Sequence, residues 1–289
     1  MIGSLKWDEV EPRHINEVVQ GVRGKQRAPA TVWNVYSVMQ ALFRDAQIEG
    51  LRRRDTPCIL TERQLGKKRD AKKEWRSGAI FTREELAALI SDVRVPEDRR
   101  AMYALQGLGM LRHGEAAGLR WRHYLRGLEP LGRLVIATSY DTGDTKTSVE
   151  RWMPVHPTLA RVLAEWRMTG WRCEFGRAPE PDDLVLPVTR PTNRGPRREF
   201  MAIRDENYSW KRLRKDLGVL GLRERRQHDL RRTGITLARE DGAERDILRL
   251  CTHSPPRDVM ELYTSFGWAK LCTQVAIVKF RASRAKHAR

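Results

Sequence analysis

Between Thr61 and Gly78 the chain supplies few large apolar side chains and carries Arg63, Lys67, Lys68, Arg69, Lys72, Lys73 and Arg76 against Glu62, Asp70 and Glu74. Such a stretch has little to bury and cannot fold on its own account, so it divides the chain into two bodies. Upstream, apolar residues fall at helical spacing. Glu11 to Val22 holds Ile15, Val18, Val19 and Val22. Thr31 to Glu49 holds Val32, Val35, Tyr36, Val38, Met39, Leu42 and Phe43, with Gly50 where a C-terminal cap belongs. Neither stretch alternates as a strand does. The sequence predicts an all-helical small domain over 1–62, a basic linker over 63–80 and a larger domain over 81–289.

The larger body opens on a capping box, Thr82 with Glu85 three residues later, followed by Leu86, Leu89 and Ile90 on one face. Pro96 opens a second helix that runs to the glycine-broken Gly107-Leu-Gly-Met-Leu-Arg112. After Trp121 the period changes. Leu134 to Ala137 and Val149 to Val155 read as short strands around a turn over Asp141 to Thr147. Pro157 reopens helix through Trp166, Pro179 to Pro196 reads as loop, and the remainder is helical with breaks near Gly218–Gly221, Gly242 and Pro255–Pro256. The fold class is mainly α, with a small antiparallel β-sheet in the larger domain. Trp75, Trp121, Trp152 and Trp210 are expected to pack rather than to stack on a ligand.

With 55 Lys and Arg against 37 Asp and Glu, the net charge is +18. That surplus disfavours a cationic substrate and favours a polyanionic partner. The four cysteines, Cys58, Cys173, Cys251 and Cys272, form no Cys-x-x-Cys pair and read as free thiols of a reducing compartment. No apolar run approaches the roughly 18 residues of a membrane span. The first 25 residues lack the apolar block of a signal peptide. A soluble protein of the bacterial cytoplasm or nucleoid, with no membrane partner, is expected.

Four clusters in the larger body bear on chemistry. Arg112 and Glu115 are three apart, one helix face; alone they describe a surface ion pair. Lys146, between Thr145 and Thr147 at the hairpin tip, describes by itself only a solvated turn. His228-Asp-Leu-Arg231 again places a histidine and an arginine on one face. His253 precedes Tyr263 by ten residues; alone, the first is a loop histidine and the second a core tyrosine. Together they change meaning. Arginine forks and histidine donors hold a phosphate and stabilise a phosphoryl transition state without metal. A tyrosine hydroxyl is a nucleophile when cationic neighbours stabilise its phenolate, and a lysine or histidine can protonate the departing alkoxide.

The ordered set Arg112, Lys146, His228-x-x-Arg231, His253 and Tyr263 resembles the tyrosine recombinase (phage integrase) family, over the chain from Phe81 onward. Met110-Leu-Arg112-x-x-Glu115-x-x-x-Leu119-x-Trp121 is similar to that family's first arginine box. Thr145-Lys146-Thr147 before Arg151-Trp-Met-Pro154-Val is similar to its hairpin lysine, and His228-Asp-Leu-Arg231-Arg-Thr233 to its second box. Two departures are visible: Thr252-His253 stands where the family has Gly-His, and the His-to-Tyr spacing is ten rather than nine.

The resemblance implies an N-terminal core-binding (SAM-like) domain and a catalytic domain of the DNA breaking-rejoining enzyme fold. It implies that Tyr263 attacks the scissile phosphate, leaving a 3′-phosphotyrosyl link, while Arg112, Arg231 and His253 hold the nonbridging oxygens. Lys146 would be the general acid, His228 would assist proton transfer and Glu115 would orient its cationic neighbours. No metal and no ATP are implied. The implied partners are double-stranded DNA, a homo-tetramer assembled on it with exchange of the C-terminal segment from Val275 to Arg289 between protomers, and accessory DNA-bending proteins. Arg190, Arg194, Arg197, Arg198, Lys211 and Arg212, continued by Arg214 and Lys215, crowd one region and are expected to contact phosphates, as are Lys67, Lys68, Lys72 and Lys73. Two other readings stand beside recombination: a type IB topoisomerase, which shares the chemistry, and a catalytically inactive DNA-binding relic or regulator.

Overall fold

The computed structural model describes residues 2–67, 78–137, 150–192, 195–202, 204–252 and 266–280, with Ile2 and 189–202 described by backbone alone. Contacts divide the chain into two units, Met1–Gly78 and Ala79–Arg289. Among the described residues, no helix is long and apolar enough to cross a membrane.

The smaller unit is built on α1 (Pro12–Gly24), α2 (Pro29–Ile48) and the short α3 (Glu62–Leu65). Both long helices start on a proline, whose fixed φ suits a first turn and whose missing N–H is not needed there. Ile15 and Val19 of α1 pack with Val32, Tyr36 and Phe43 of α2, joined by Val10, Cys58 and Leu65. Arg52 is buried and fastens the return from α2, donating to the carbonyls of Trp7, Val10 and Asp55. The basic stretch therefore begins inside folded structure. Leu65 is buried in the core, and Trp33 Nε1 donates to the Gly66 carbonyl at 2.9 Å. Lys67 is exposed, while Lys68, Lys72, Lys73 and Trp75 lie outside the described residues.

In the larger unit the Thr82–Glu85 box is present: Thr82 N donates to Glu85 Oε2 at 2.8 Å and Glu85 N to Thr82 Oγ1 at 3.2 Å. It starts α4 (Arg83–Ser91), which leads into α5 (Glu97–Gly107). From Ala101 to Gly107 every residue of α5 is buried, so α5 is the helix the unit is built around. Next come α6 (His113–Ala117), a sheet of β1 (Tyr124–Leu125), β2 (Arg133–Ile136) and β3 (Arg151–Pro154), then α7 (Pro157–Glu165) and α8 (Trp171–Phe175), separated by one π-helical turn. The strands are antiparallel in the order β1-β2-β3, pairing Leu134 with Met153 and Ile136 with Arg151. A two-stranded ribbon, β4 (Val188–Thr192) and β5 (Gly195–Ala202), precedes α9 (Glu206–Val219), α10 (Gln227–Glu240), α11 (Arg245–Thr252) and α12 (Trp268–Ala276).

Two expectations change. The stretch Pro179 to Pro196 contains all of β4, which Pro191 hides because proline is excluded from central strands but tolerated on an edge. Trp152 is not a packing residue of the core; it is 44% exposed, with the Arg133 guanidinium stacked 4.2 Å from its ring centre. Trp121 is buried as expected, and Trp210 is half-buried beneath Arg214.

The C-terminal segment is fastened to the larger unit. Val275, Val278 and Phe280 are buried in the core of their own unit. His156 Nδ1 accepts from Thr158 N at 3.1 Å, so its Nε2–H donates to the Val278 carbonyl at 3.0 Å. Thr158 Oγ1 donates to the Phe280 carbonyl at 3.1 Å, and Lys279 N to Asp241 Oδ2 at 2.7 Å. Arg83 spans Asp241 and the Lys279 carbonyl. Residues 275 to 280 thus pack on their own chain; Arg281 to Arg289 lies outside the described residues.

The helix α10 crosses α5 at Gly234. A Cβ there would stand 1.8 Å from the Gly107 carbonyl oxygen, a backbone atom that cannot swing away. Gly234→Ala is therefore expected to force the helices apart and to destabilise the unit by about 2–3 kcal/mol, toward the upper end of overpacking penalties. A lowered urea midpoint with unchanged slope would show it.

Candidate functional site: a carboxylate ringed by arginines

The site begins where α5 ends. Met110 adopts a left-handed backbone, φ +49°, unusual for a residue with a side chain. The turn places Arg112 at the N-cap of α6 and Glu115 at its third position. Arg112 N donates to Glu115 Oε2 at 2.7 Å, and Arg112 Nη1 to Oε1 at 2.8 Å. The two residues three apart are thus a capping pair rather than neighbours within a helix.

Glu115 is 3% exposed, and a buried carboxylate stays charged only when paired. Its main partner is Arg151, the first residue of β3, which reaches across in a fork: Nη1 to Oε1 at 2.7 Å and Nη2 to Oε2 at 2.6 Å. Arg231 Nη1 lies 3.8 Å from Oε2. Burial alone would raise the Glu115 pKa; the Arg151 hydrogen bonds and the charges of Arg151 and Arg231 overcome it and hold the group at about 2. Arg231 moves the other way. Burial, with the charges of Arg112 and Arg151 adding to it, pulls its pKa down to about 9 against the pull of Glu115, so it remains protonated at neutral pH. Three guanidinium groups around one carboxylate leave a surplus of two positive charges.

Arg231 comes from α10 and donates Nη1 to the Met110 carbonyl and Nη2 to the Thr252 carbonyl. His228, one turn earlier, is exposed. Crowding by protein, then the charges of Arg232, Arg231 and Arg112, push its pKa below the ordinary histidine value, with Asp229 opposing. Asp229 accepts from Arg226 N at 3.0 Å and from Arg232 Nη1 at 2.8 Å, capping α10. Thr233 Oγ1 accepts from Phe81 N at 2.9 Å, tying α10 to the entry of α4.

The structure therefore brings together Arg112, Glu115 and Arg231, with His228 on the same helix as Arg231. Lys146, His253 and Tyr263 lie outside the described residues: Lys146 within 138–149, between β2 and β3, and the other two within 253–265, between α11 and α12. Arg190, Arg197 and Arg198 lie on the β4–β5 ribbon, where Arg190 pairs with Glu199 and Arg198 with Pro191, and Arg194 lies outside the described residues. Lys211 is exposed on α9, and the Arg212 guanidinium sits 5.0 Å from the Tyr208 ring centre. Among the described side chains, neither Lys211 nor Arg212 belongs to the Glu115 cluster. Among the described residues, no group of His, Cys, Asp and Glu is gathered to hold a metal ion.

Arg151 is the residue that sequence reasoning missed. Its signal was period: on β3, Arg151 shares the inward side with Met153, and a charged residue on a buried face requires a counter-charge.

No family model matches the sequence, and no curated protein matches it either. Solved structures do. A segment of the Tn1549 transposon integrase in complex with transposon right end DNA is similar at TM-score 0.62 and 16% identity, covering 94% of this chain and 87% of that one. A lambda integrase dimer bound to a core site gives TM-score 0.58 and 16% identity, with 89% and 80% covered. The XerH site-specific recombinase bound to a palindromic difH substrate gives 0.58 and 17%, with 91% and 69% covered. The chain has the tyrosine recombinase fold. At such identities the likeness is one of fold.

Replacing Glu115 by Gln leaves Arg151 and Arg231 buried without their anion, and is expected to destabilise the larger unit by roughly 3–5 kcal/mol, as when one partner of a buried ion pair is removed. Because the folded pKa lies below the unfolded one, the carboxylate's contribution is fully present above the ordinary glutamate range and lost as pH falls toward about 2. Urea titrations over that window should show a shallower acid loss in Glu115→Gln than in the unaltered chain.

Proposed function

We propose that this chain is a site-specific DNA recombinase that cuts and rejoins strands through a 3′-phosphotyrosyl intermediate. The observation that carries the reading is Arg112: in a chain with the recombinase fold, its guanidinium is about one-third exposed (34%) at the rim of a cluster with surplus positive charge, oriented by a carboxylate that is itself sealed from water. A cation so placed meets a phosphate without first losing a competing partner in solvent.

The Tyr263 phenol oxygen attacks the scissile phosphorus, the bond from phosphorus to the 5′ oxygen breaks, and the 3′ phosphate becomes an ester of Tyr263. His228, whose lowered pKa favours the neutral imidazole, takes up the phenol proton. Lys146 protonates the departing 5′ oxygen. Arg112 and His253 hold nonbridging oxygens. Arg231 joins them through the second N–H that each of its terminal nitrogens carries beyond the one given to a carbonyl. The 5′-hydroxyl of a partner strand then reverses the sequence, and two rounds on two duplexes, held by a tetramer, exchange four strands. The phosphodiester energy is kept in the tyrosyl ester, so no metal or nucleotide enters the scheme. The basic residues of α9, the β4–β5 ribbon and the stretch after Leu65 contact the DNA backbone. The tetramer is joined by exchange of the C-terminal segment from Val275 to Arg289 between protomers.

Incubation with a nicked suicide duplex tests the reading. The unaltered chain is expected to accumulate a covalent adduct, equally well in EDTA, and Tyr263→Phe to form none while keeping salt-sensitive duplex binding. Arg112→Ala is expected to slow adduct formation by roughly 100-fold or more, the scale of losing one preorganised oxyanion donor, with affinity changed far less. Loss of affinity as large as the loss of rate would make Arg112 an anchor, and an adduct in the Phe variant would assign the nucleophile elsewhere.

A further inference from the structure

The three arginines around Glu115 are not equivalent. Arg112 is partly open to solvent and makes one side-chain bond to the carboxylate. Arg151 is 4% exposed at its side chain, and all three of its nitrogens are engaged. Two form the fork on Glu115, while Nε donates to the Cys251 carbonyl at 3.0 Å. Cys251 and Thr252 are the last two residues of α11, and the Thr252 carbonyl is taken by Arg231. The C-terminal end of α11, where carbonyls lack partners within the helix and the helix dipole is negative, is thus capped by two guanidinium groups that also face Glu115. The next residue in the chain is His253, and Tyr263 follows in the same segment.

We propose that Arg151 is a positioning residue for the reaction proposed above. It fixes the end of α11 to the carboxylate that orients Arg112, and so sets the point from which the segment bearing His253 and Tyr263 departs. A single planar fork with an extra N–H can do this, because it spans two acceptors on Glu115 and a third on another element at fixed mutual angles. A lysine carries the same charge as a point on a flexible stem and cannot reproduce the three-way span. Arg151 spends its fork on Glu115 and its Nε–H on the Cys251 carbonyl, so the role assigned to it is to hold these elements and not to bind the phosphate. Its removal should therefore slow the chemical step and leave duplex binding alone.

The inference rests on the recombinase reading, and the experiment separates the two. Arg151→Lys, which keeps the buried charge and with it the fold, is compared with the unaltered chain and with Arg151→Met in single-turnover adduct formation on the suicide duplex. Rate constant, amplitude and duplex affinity are measured together. The expected result for Arg151→Lys is a rate constant at least roughly 30-fold lower, on the order of the loss when a fixed hydrogen-bonding geometry near a reacting phosphate is loosened, with affinity within about threefold. A purely structural role would lower the amplitude, through a smaller folded fraction, and leave the rate constant of the active molecules unchanged. Undiminished rate in Arg151→Lys overturns the positioning role, as does a loss of affinity matching the loss of rate. Absence of adduct with the unaltered chain overturns the functional reading and this role together.

Discussion

The larger unit depends on one buried carboxylate. Glu115 caps the α6 turn, receives a strand residue through Arg151, and faces a helix residue through Arg231. Each contact comes from a different part of the chain, and none would be placed where it is without the negative charge at the centre. An isolated charge in such a location would neutralise itself by taking up a proton; this one remains ionised because the guanidinium groups outweigh the desolvation that opposes them. The surplus of positive charge that results is directed outward at Arg112. Structural integrity and anion-binding capacity are thereby the same interaction viewed from its two sides.

Around that centre the packing is rigid where rigidity matters. Helix α5 is buried along its second half, and α10 approaches it closely enough that only glycine fits at position 234. Arg99 and Tyr103 of α5 hold the buried Asp216 of α9, the arginine at 2.7 and 2.8 Å and the phenol at 2.6 Å. Arg225 and Glu85 join the approach to α10 to α4. The side chains of the site are thus presented by elements that cannot easily shift relative to one another, which electrostatic preorganisation requires.

Much of this was legible in the sequence, and the omissions have physical causes. The capping box at Thr82, the apolar stripes of α1 and α2, and the paired strands Leu134–Ala137 and Val149–Val155 follow from local rules of spacing and hydrogen bonding, and they appear in the structure with small shifts at their ends. Arg112, Glu115 and Arg231 could be assembled from ordered motifs, although nothing local says that residues 116 to 119 positions apart, such as 112 and 231, come together. Arg151 was missed because its role is fixed by a partner 36 residues away, which its phase with Met153 on the strand hints at but does not name. The β4–β5 ribbon was concealed by Pro191 and by shifts in register, which break the period that would have revealed it. Trp152 was misplaced because an aromatic residue in a strand suggests a core, whereas here a stacked arginine substitutes for apolar surroundings.

The clamped end of the chain has a further implication. Val278 to Phe280 are held by His156, Thr158, Asp241 and Arg83 through backbone atoms, while the Val278 and Phe280 side chains are buried in the core, so the segment is fastened in two ways at once. Anything attached past Phe280, whether a natural tail or a fused reporter, leaves from a tethered point instead of a loose terminus. The available reach of such an appendage is set by its own length alone, without slack contributed by the body that bears it.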